Sequence, residues 1–553
     1  MIPRRDFLRT SLLAATAATC SKPPRLVAAD FASADSRIDV LLEEPIGTVS
    51  PDIYGHFTEH LGGVIYDGVW VGENSTVPNV NGIRKRLVDE MRMIKAPVVR
   101  YPGGCFADSY NWRDGIGPAE KRPRRTNFWS DAESKSAPES HRFESNRFGT
   151  NEFIQFCRLI GGKPYLAANL RSLPAEDFYR WVEYCNSPAA STTLAGQRAA
   201  AGSPEPFGVR YWGVGNESWG CGGNFTPQEY AVEFRRFATW VPRYGQELSL
   251  IASGPNSGDW NWTRGFLEEL LRKGTGQLDS VYGLSLHHYA ANLGRGRTSD
   301  WEQSKGSALR FEPVDWYELL REGQRIEELI EGHWRILSEL DEQHRIKLIV
   351  DEWGPWYRAG SEATPGNLFE QVPTLRDAIF SAMTLDIFNR HPEKVAMANC
   401  AQLINCLNSL YLAHEDKFCV TPVGHVFAMY AAHQGGRSLR TIFSAQEVHY
   451  SRDEKPTAFW GLQGSASLIG KELQLTVVNP HVSESRESLV ALRAARISAA
   501  SATTLTNSDI HAHNTFEQPA AVEPQSRTLD LKGTGLTYVF PPASVTRLSL
   551  TLA

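Results

Sequence analysis

The sequence predicts an α/β protein: a (β/α)₈ barrel of the TIM type with a C-terminal antiparallel β-sandwich domain, jelly-roll-like. Three observations predict it. Eight short apolar runs alternate with helical patterns, and after Gly435 the pattern changes to short runs of alternating polarity. The chain also has 553 residues, which is more than one hydrophobic core normally organises.

The eight runs are dense in apolar residues rather than alternating. This is typical of parallel strands that are buried on both faces. The predicted barrel strands are Asp52–His60, Pro97–Pro102, Lys163–Leu170, Val209–Glu217, Leu248–Pro255, Val281–Tyr289, Ile346–Trp353 and Val395–Ile404.

Helical patterns separate these strands. "NGIRKRLVDEMRMI" precedes the second strand, and "TPQEYAVEFRRFATWV" follows the fourth and opens with a Thr–Pro start signal. Eight strand–helix units favour a closed barrel. An open eight-unit sheet is the alternative, but no glycine-rich phosphate loop of the P-loop or dinucleotide type supports it.

After Gly435 the short alternating runs predict antiparallel strands. They include "EVHYS", "KELQLTVVNP", "ESLVALRA" and "GLTYVFPPASVTRLSLTL". The run "SRIDVLL", ahead of the barrel, is expected to add a strand to the same domain. The expected domains are therefore a barrel over residues 50–435 and a β-sandwich over 36–49 plus 436–553.

The N-terminus has the pattern of an export signal. "RRDFLR" precedes a short apolar run, "TSLLAATAAT", and cleavage is expected after Ala29. The paired arginines resemble a twin-arginine signal, so residues 1–29 predict a periplasmic or extracellular protein. A disordered cytoplasmic N-terminus is the alternative, and no other stretch is apolar and long enough to span a membrane.

Composition excludes some classes and leaves others open. The net charge of −6 argues against a nucleic-acid-binding protein. The 15 tryptophans are either core residues or flat platforms for a ring-shaped ligand. Eight cysteines include Cys20, which leaves an odd number after cleavage, so mostly free thiols are expected.

Polar residues repeatedly end the apolar runs. In a barrel the C-terminal strand ends face the active site. A single polar residue there would be a helix cap or a satisfied core residue, but converging examples predict a functional site. The strand-end residues are Glu59, His60, Cys105, Asn169, Asn216, Glu217, His287, Tyr289, Asp351, Glu352 and Gln402.

Two of these carboxylates suit the cleavage of a glycosidic bond. One carboxyl must protonate the leaving oxygen, and the other must attack or stabilise the anomeric carbon. Glu217 ends the fourth strand and Glu352 the seventh, so they are expected to face each other across the barrel mouth. The glycines of "GVGNESWGCGG" let the loop that carries Glu217 turn away and admit a ligand. Alone, Glu217 would equally suit a loop salt bridge.

The motifs resemble the family 51 glycoside hydrolases, the retaining α-L-arabinofuranosidases of clan A. "YGHFTEHLGGVIYDGVW", "VRYPGGCFADSYNWRDGIGP", "YWGVGNESWGCGG", "SLHHY", "DEWGPWY" and "NCAQLIN" occur in the order of that family. The resemblance spans nearly the whole mature chain. It implies the barrel-plus-sandwich fold and release of terminal non-reducing α-L-arabinofuranosyl residues from plant polysaccharides and oligosaccharides without a cofactor.

The resemblance also implies roles for individual residues. Glu217 is the general acid/base and Glu352 the nucleophile. Asn216 bonds the 2-hydroxyl of the sugar, and Trp356 forms a wall of the subsite. Positions that line the pocket or orient the carboxylates are Glu59, Tyr289, His287 and Gln402. Family members often form hexamers or other oligomers, so the resemblance leaves open whether this chain forms a homo-oligomer.

Cys105 departs from the family pattern, because well-known members carry Asn after "PGG". Its thiol is a weaker hydrogen-bond donor than an amide, and it is expected at the sugar pocket beside Glu59. Cys105 and Cys221 are expected to be ordinary buried thiols; a disulfide or a thiol-held metal is the alternative. The pair His287–His288 also suggests a metal, but a histidine that holds a carboxylate is the favoured interpretation.

Three rival functions remain open at this stage. A galactofuranoside or β-glucan specificity is compatible with the same catalytic pair. A non-catalytic carbohydrate-binding protein on a decayed barrel is disfavoured by the presence of both glutamates. A metal hydrolase is the third alternative. The polysaccharide itself, arabinan or arabinoxylan, is decided by loops rather than motifs.

Overall fold

A computed structural model describes residues 36–133, 142–291, 304–364, 366–493, 495–531 and 536–553. The predicted export signal, Cys20 included, lies outside these residues. None of the helices that the structure describes combines the length and apolar character needed to cross a bilayer.

Eight parallel strands close into a barrel in chain order, which confirms the predicted architecture over the open-sheet alternative. Most strands are shorter than predicted. Where the first was expected to start at Asp52, Pro51–Tyr54 instead forms a 3₁₀ turn. The first to eighth barrel strands are Gly55–Phe57, Val98–Tyr101, Lys163–Ala168, Tyr211–Val214, Ser249–Ala252, Gly283–Ala290, Lys347–Pro355 and Val395–Cys400.

Helices pack around this barrel. The helix after the fourth strand begins as the sequence predicts: Thr226 and Glu229 form a capping box, with Pro227 at the first helical position. The α-helices of the described residues are Lys85–Met93, Phe128–Glu133, Thr150–Ile160, Ala175–Asn186, Thr193–Ala200, Pro227–Ala238, Trp260–Leu271, Pro313–Leu340, Leu375–Arg390 and Pro422–Tyr430.

The C-terminal part forms one nine-stranded sheet. From edge to edge its strands are Gln525–Thr528, Ile497–Thr506, Ser544–Leu552, Glu472–Asn479, Gln463–Ile469, Arg437–Ser444, Ser36–Thr48, Arg486–Leu492 and Leu536–Phe540. The N-terminal strand joins it as predicted. However, it pairs in parallel with Arg486–Leu492, so the sheet is not wholly antiparallel.

This sheet curls until its two edges meet. Arg527 on one edge strand stacks over the ring of Tyr538 on the other, at 5.1 Å from its centroid. A separate apolar core fills the space between the two halves. The sandwich is therefore made by one rolled sheet. The run "EVHYS" is not part of it: Val448–Arg452 pairs with Lys455–Phe459 in a separate hairpin.

Helix Leu375–Arg390 lies between the barrel and the curled sheet and is buried almost throughout. Its Asp386 accepts hydrogen bonds from Ser465 Oγ at 2.6 Å and Thr476 Oγ1 at 2.5 Å, both on the sheet. The curled sheet therefore packs against the barrel through this helix.

Candidate active site

Glu217 and Glu352 face each other at the barrel mouth, with His287 between them. His287 Nδ1 lies 2.9 Å from Glu217 Oε1 and 3.6 Å from Glu352 Oε2. One oxygen of Glu217 and one of Glu352 lie within 4.8 Å of each other. Retaining glycosidases separate their two carboxyl groups by about 5–5.5 Å and inverting enzymes by about 6.5–9.5 Å. The separation here fits retention.

Glu352 is buried on the seventh strand and is held from two sides. Arg100 Nη1 donates to its Oε1 at 2.8 Å, and the Tyr289 hydroxyl donates to its Oε2 at 2.7 Å. Burial alone would raise the pKa of Glu352. The charges of His287 and Arg100 and these hydrogen bonds outweigh burial and hold the pKa below its usual range. The group is therefore an anion at neutral pH, as a nucleophile requires.

Glu217 is half-buried, and its backbone is in the left-handed region with a φ of 40°. His287 contacts its Oε1, whereas its Oε2 faces sulfur atoms. Burial lowers the pKa of His287, but the nearby Glu352 and Glu217 carboxylates more than compensate and raise it overall. The imidazole is thus suited to donate to both carboxylates.

Glu59 lies deeper, behind the loop that follows the second strand. Its Oε1 accepts the backbone N–H groups of Gly104 and Phe106 and the Trp129 indole N–H, at 3.0–3.2 Å. Gln402 Nε2 donates to Oε2 at 3.1 Å. Burial, reinforced by the charge of Glu352, raises the pKa of Glu59 to about 7.

Arg100 connects the parts of the site, and sequence reasoning missed it. Besides Glu352, its guanidinium donates to Asn216 Oδ1 at 2.6 Å and lies 3.5 Å from Asp351 Oδ2. It stacks over the Phe57 ring at 4.7 Å. The available signal was a charged residue inside an apolar strand, "VVRY", which a barrel interior tolerates only when it is paired.

The glycines of "PGG" have a steric reason. A Cβ at Gly104 would lie 2.8 Å from Glu352 Oε1, and a Cβ at Gly103 would lie 2.6 Å from Glu59 Cγ. Real Cβ atoms do not approach other atoms so closely. The loop backbone can therefore pass beside both carboxyl groups only without side chains at these two positions.

The expectation of free thiols at Cys105 and Cys221 is wrong, because the two residues form a disulfide. It joins the loops that follow the second and fourth strands, which flank the third strand in the barrel. The sulfurs of Cys105 and Cys221 lie 3.9 and 3.7 Å from Glu217 Oε2. Elsewhere in the described chain the cysteines are buried free thiols, as expected.

Trp356 lines one side of the mouth within an aromatic cluster. It packs edge-on against Tyr289, with ring centroids 5.1 Å apart, and against Phe369 at 4.9 Å. The ammonium of the buried Lys305 lies 4.3 Å from its ring centroid. Trp129 contacts Phe369 from the other side. Neither Lys305 nor Trp129 was identified from the sequence.

The structure brings all nine predicted site residues to one mouth, but not every strand-end polar group. Asn169 closes a local turn by hydrogen bonding Ser172. His60 pairs with the buried Glu144 at 2.7 Å. His288 faces away from His287 and contacts the backbone oxygen of Glu322, so the two adjacent histidines do not form a joint metal site.

Among the residues that the structure describes, two groups have the spacing for a metal ion: Glu217, His287 and Glu352, and Cys105, Cys221 and Glu217. Their chemistry does not favour one. A disulfide offers no thiolate ligands. The guanidinium of Arg100 already neutralises Glu352 at 2.8 Å and would repel a second cation. The first group is suited instead to proton transfer and nucleophilic attack.

Comparisons with known proteins agree with this geometry. Residues 90–305 match the model "Alpha-L-arabinofuranosidase 1 domain", and residues 351–544 match "Alpha-L-arabinofuranosidase C-terminal domain". The second match begins inside the seventh barrel strand. The matched segment thus contains Glu352 and most strands of the curled sheet, but not its strand Ser36–Thr48.

Similar whole proteins bear related names. An "Intracellular exo-alpha-L-arabinofuranosidase" of Bacteroides ovatus is 35% identical over 86% of this chain and 88% of its own length. A GH51 arabinofuranosidase structure from Xanthomonas axonopodis pv. citri is 34% identical, with a TM-score of 0.84 over 93% of this chain and all of that one. The arabinose complex of the Thermotoga maritima α-L-arabinofuranosidase is 29% identical, with a TM-score of 0.79 over 94% of this chain and all of that one.

Proposed function

Because this chain belongs to the family 51 α-L-arabinofuranosidases, we propose that it releases terminal non-reducing α-L-arabinofuranosyl residues by a double displacement in which Glu352 is the nucleophile and Glu217 the acid/base. The observation that carries the proposal is the Glu217–His287–Glu352 arrangement, with carboxylate oxygens within 4.8 Å. The exo-acting arabinofuranosidase activity follows from the family; the residue roles are proposed here.

In the first step Glu352 attacks the anomeric carbon while Glu217 protonates the leaving oxygen, and a covalent arabinosyl–enzyme forms. Arg100 and Tyr289 keep Glu352 ionised and aimed. His287 holds Glu217 Oε1, so Oε2 is the oxygen that carries the transferred proton. In the second step Glu217 removes a proton from water, and the configuration is retained.

The other predicted residues are assigned to sugar binding. The Oδ1 of Asn216 accepts a hydrogen bond from Arg100, and its Nδ2 lies 3.7 Å from Cys221 Sγ, beside the acid/base. Glu59, with its pKa near neutrality, and Gln402 lie together at the base of the pocket. Trp356, which packs against Tyr289, and the Cys105–Cys221 disulfide, which contacts Glu217, are assigned to its wall.

The roles are tested by Glu352→Ala and Glu217→Ala. Glu352→Ala is expected to abolish turnover. Glu217→Ala is expected to retain turnover of aryl arabinofuranosides with good leaving groups, and azide is expected to accelerate it, since a small anion can attack the intermediate without a base. Rescue of Glu352→Ala but not Glu217→Ala would reverse the assignment.

The substrate class is proposed as arabinofuranosyl polysaccharides and oligosaccharides of plant origin. Arabinan, arabinoxylan and short arabino-oligosaccharides should release arabinose, whereas aryl galactofuranoside and cellulose should not turn over. Binding of glycan without release of product would favour a non-catalytic protein. Loss of activity on chelation would favour a metal hydrolase.

We also propose that the protein is exported through the twin-arginine-type signal in residues 1–29. The support is the sequence pattern alone. The mass of the protein from a cell-envelope fraction should correspond to cleavage after Ala29. Replacing Arg4 and Arg5 by lysine should leave an uncleaved cytoplasmic form, and a wild-type chain that stays uncleaved in the cytoplasm would refute the proposal.

A further inference from the structure

Asp108 is a fully buried carboxylate that the proposed mechanism does not use. It lies three residues after Cys105, in the short 3₁₀ helix Ala107–Ser109. Its Oδ1 accepts the backbone N–H groups of Leu170 and Arg171 at 2.8 and 3.2 Å. Its Oδ2 accepts the backbone N–H of Asn216 at 3.0 Å. One side chain thus joins the loops after the second, third and fourth barrel strands.

Asn216, the residue whose backbone N–H donates to Asp108, directly precedes Glu217. On the other side of Glu217, the Ser218 backbone N–H donates to Ser253 Oγ at 3.0 Å. Between these two anchored N–H groups Glu217 has a φ of 40°. For a residue with a side chain this left-handed conformation costs about 1–2 kcal/mol and persists only where neighbours enforce it.

We propose that Asp108 is a positioning residue for the acid/base, and that with Ser253 it forms a clamp that fixes the backbone on both sides of Glu217. The proposal rests on the assignment of Glu217 as acid/base. Asp108 is too deeply buried behind the Asn216 peptide to contact the sugar itself. Instead, by fixing the loop backbone, Asp108 sets the direction in which the Glu217 side chain points.

The chemistry of the three contacts explains why an aspartate is used. A carboxylate has only acceptors and can receive all three N–H groups, whereas an asparagine would direct its own amide hydrogens at one of them. Burial raises the pKa of Asp108 to about 7 against the opposing effect of these three donors and Arg171. Burying a carboxyl group destabilises the fold unless hydrogen bonds compensate for the lost water. The presence of Asp108 at this buried position therefore indicates that its two acceptor oxygens are needed. Packing is also tight: a Cβ at Gly222 would lie 3.0 Å from Asp108 Oδ2.

The test is Asp108→Asn, assayed with aryl arabinofuranosides whose leaving groups span good to poor. A misdirected acid should hardly change the turnover of substrates with good leaving groups. It should slow the turnover of substrates with poor leaving groups about 10- to 100-fold, which is part of the 10²–10⁴-fold that general acid catalysis contributes. Asp341→Asn is the matched control. Asp341 is an equally buried carboxylate that accepts the Ile346 N–H at 2.9 Å, before the seventh strand and at the opposite end of the barrel.

A double-mutant cycle separates positioning from general damage. If Asp108 acts through Glu217, Asp108→Asn should have no further effect on turnover in the Glu217→Ala background. Equal losses for all leaving groups, or additive losses in the cycle, would overturn the proposal. If Glu217→Ala itself lacked leaving-group dependence and azide rescue, the acid/base assignment would fail instead, so the two failures are distinguishable.

Ser253→Ala tests the clamp if Asp108→Asn does not fold, because it removes the other acceptor without burying a new polar group. It should give the same selective loss with poor leaving groups. A uniform change, or none, would contradict the clamp.

Discussion

Tyr289 contributes one hydroxyl group to the site, and it donates to Glu352 Oε2 at 2.7 Å. Because this bond is one of the interactions that hold the pKa of Glu352 down, Tyr289→Phe should raise that pKa. Glu352 would then be protonated at a higher pH than in the wild type. The acidic limb of kcat/KM should move upward by about one pH unit, since a hydrogen bond to a charged group contributes about 1.5–3 kcal/mol and one pKa unit corresponds to about 1.4 kcal/mol.

Tyr411→Phe is the control for that pH profile. Tyr411 is buried, and its hydroxyl has no hydrogen-bond partner among the described residues. It should leave the acidic limb in place. An unchanged limb in Tyr289→Phe would show that the hydroxyl does not control the ionisation of Glu352.

The Cys105–Cys221 disulfide changes how the enzyme should respond to thiol reagents. A bulky reagent added without reductant should leave activity intact, because the disulfide is unreactive towards it and the described free cysteines are all buried. After mild reduction the same reagent should inactivate the enzyme by filling the space beside Glu217, and bound arabinose should protect it. Peptide mass mapping checks this; Cys105 labelled in unreduced, active enzyme would contradict it.

At the scale of elements, the strand-end loop "PGG" passes close to the Glu59 and Glu352 side chains, and its glycines make this close approach possible. Gly104→Ala would put a Cβ 2.8 Å from Glu352 Oε1 and 3.4 Å from Asn216 Nδ2. Glu352 would have to leave its position on Arg100. Since misplacement of about 1 Å can cost roughly 100-fold, we expect kcat/KM to fall by about that factor.

Gly196→Ala provides the comparison. Gly196 is exposed in helix Thr193–Ala200, and a Cβ there would meet nothing within 4 Å. Activity should be unchanged and stability should rise by at most about 1 kcal/mol, the helix preference of alanine over glycine. Equal activity of the two variants would mean that the loop adapts to a side chain at 104.

Whole strands were easier to predict than their ends. Each of the eight apolar runs overlaps a barrel strand, because burial on both faces demands apolar residues along the whole run. The predicted ends were too long at places such as Asp52–Tyr54 and Gly215–Glu217, where the chain turns out of the sheet. All of these residues except Glu217 are buried, so burial alone does not mark where the hydrogen bonding of a strand ends.

At the scale of the molecule, the barrel and the curled sheet should unfold together. Helix Leu375–Arg390 belongs to the barrel, yet its Asp386 is hydrogen bonded by Ser465 and Thr476 of the sheet and by Tyr430. Asp386→Ala would leave these buried hydroxyls without their acceptor. An unsatisfied buried group costs about 1–3 kcal/mol, so we expect a loss of about 3 kcal/mol or more.

Scanning calorimetry measures this as one transition that moves to a lower Tm in Asp386→Ala. Asp279→Ala, which removes an exposed partner of Arg345, should leave Tm nearly unchanged. Two separate transitions in the wild type would show that the barrel and the sheet are independent units.

The sequence by itself determined the barrel and the strand or strand-end loop from which each predicted site residue comes. It also predicted that Glu217 and Glu352 lie together. It could do so because burial imposes apolar runs, and a barrel sends every strand's C-terminal end to one mouth. Arg100 was overlooked because its partners Glu352 and Asn216 are each more than a hundred residues away in sequence.

Only the tertiary structure decided the disulfide, the clamp on Glu217 and the curl of the sheet. Cys105 and Cys221 are separated by 116 residues and become neighbours because their loops leave strands on the same side of the barrel. In the sequence Asp108 has no feature that distinguishes it from other acidic loop residues. Its role depends on three backbone N–H groups that reach it only in the folded chain. Such contacts depend on distances across the fold, and hydrophobic patterning specifies which face is buried but not which neighbour meets it there.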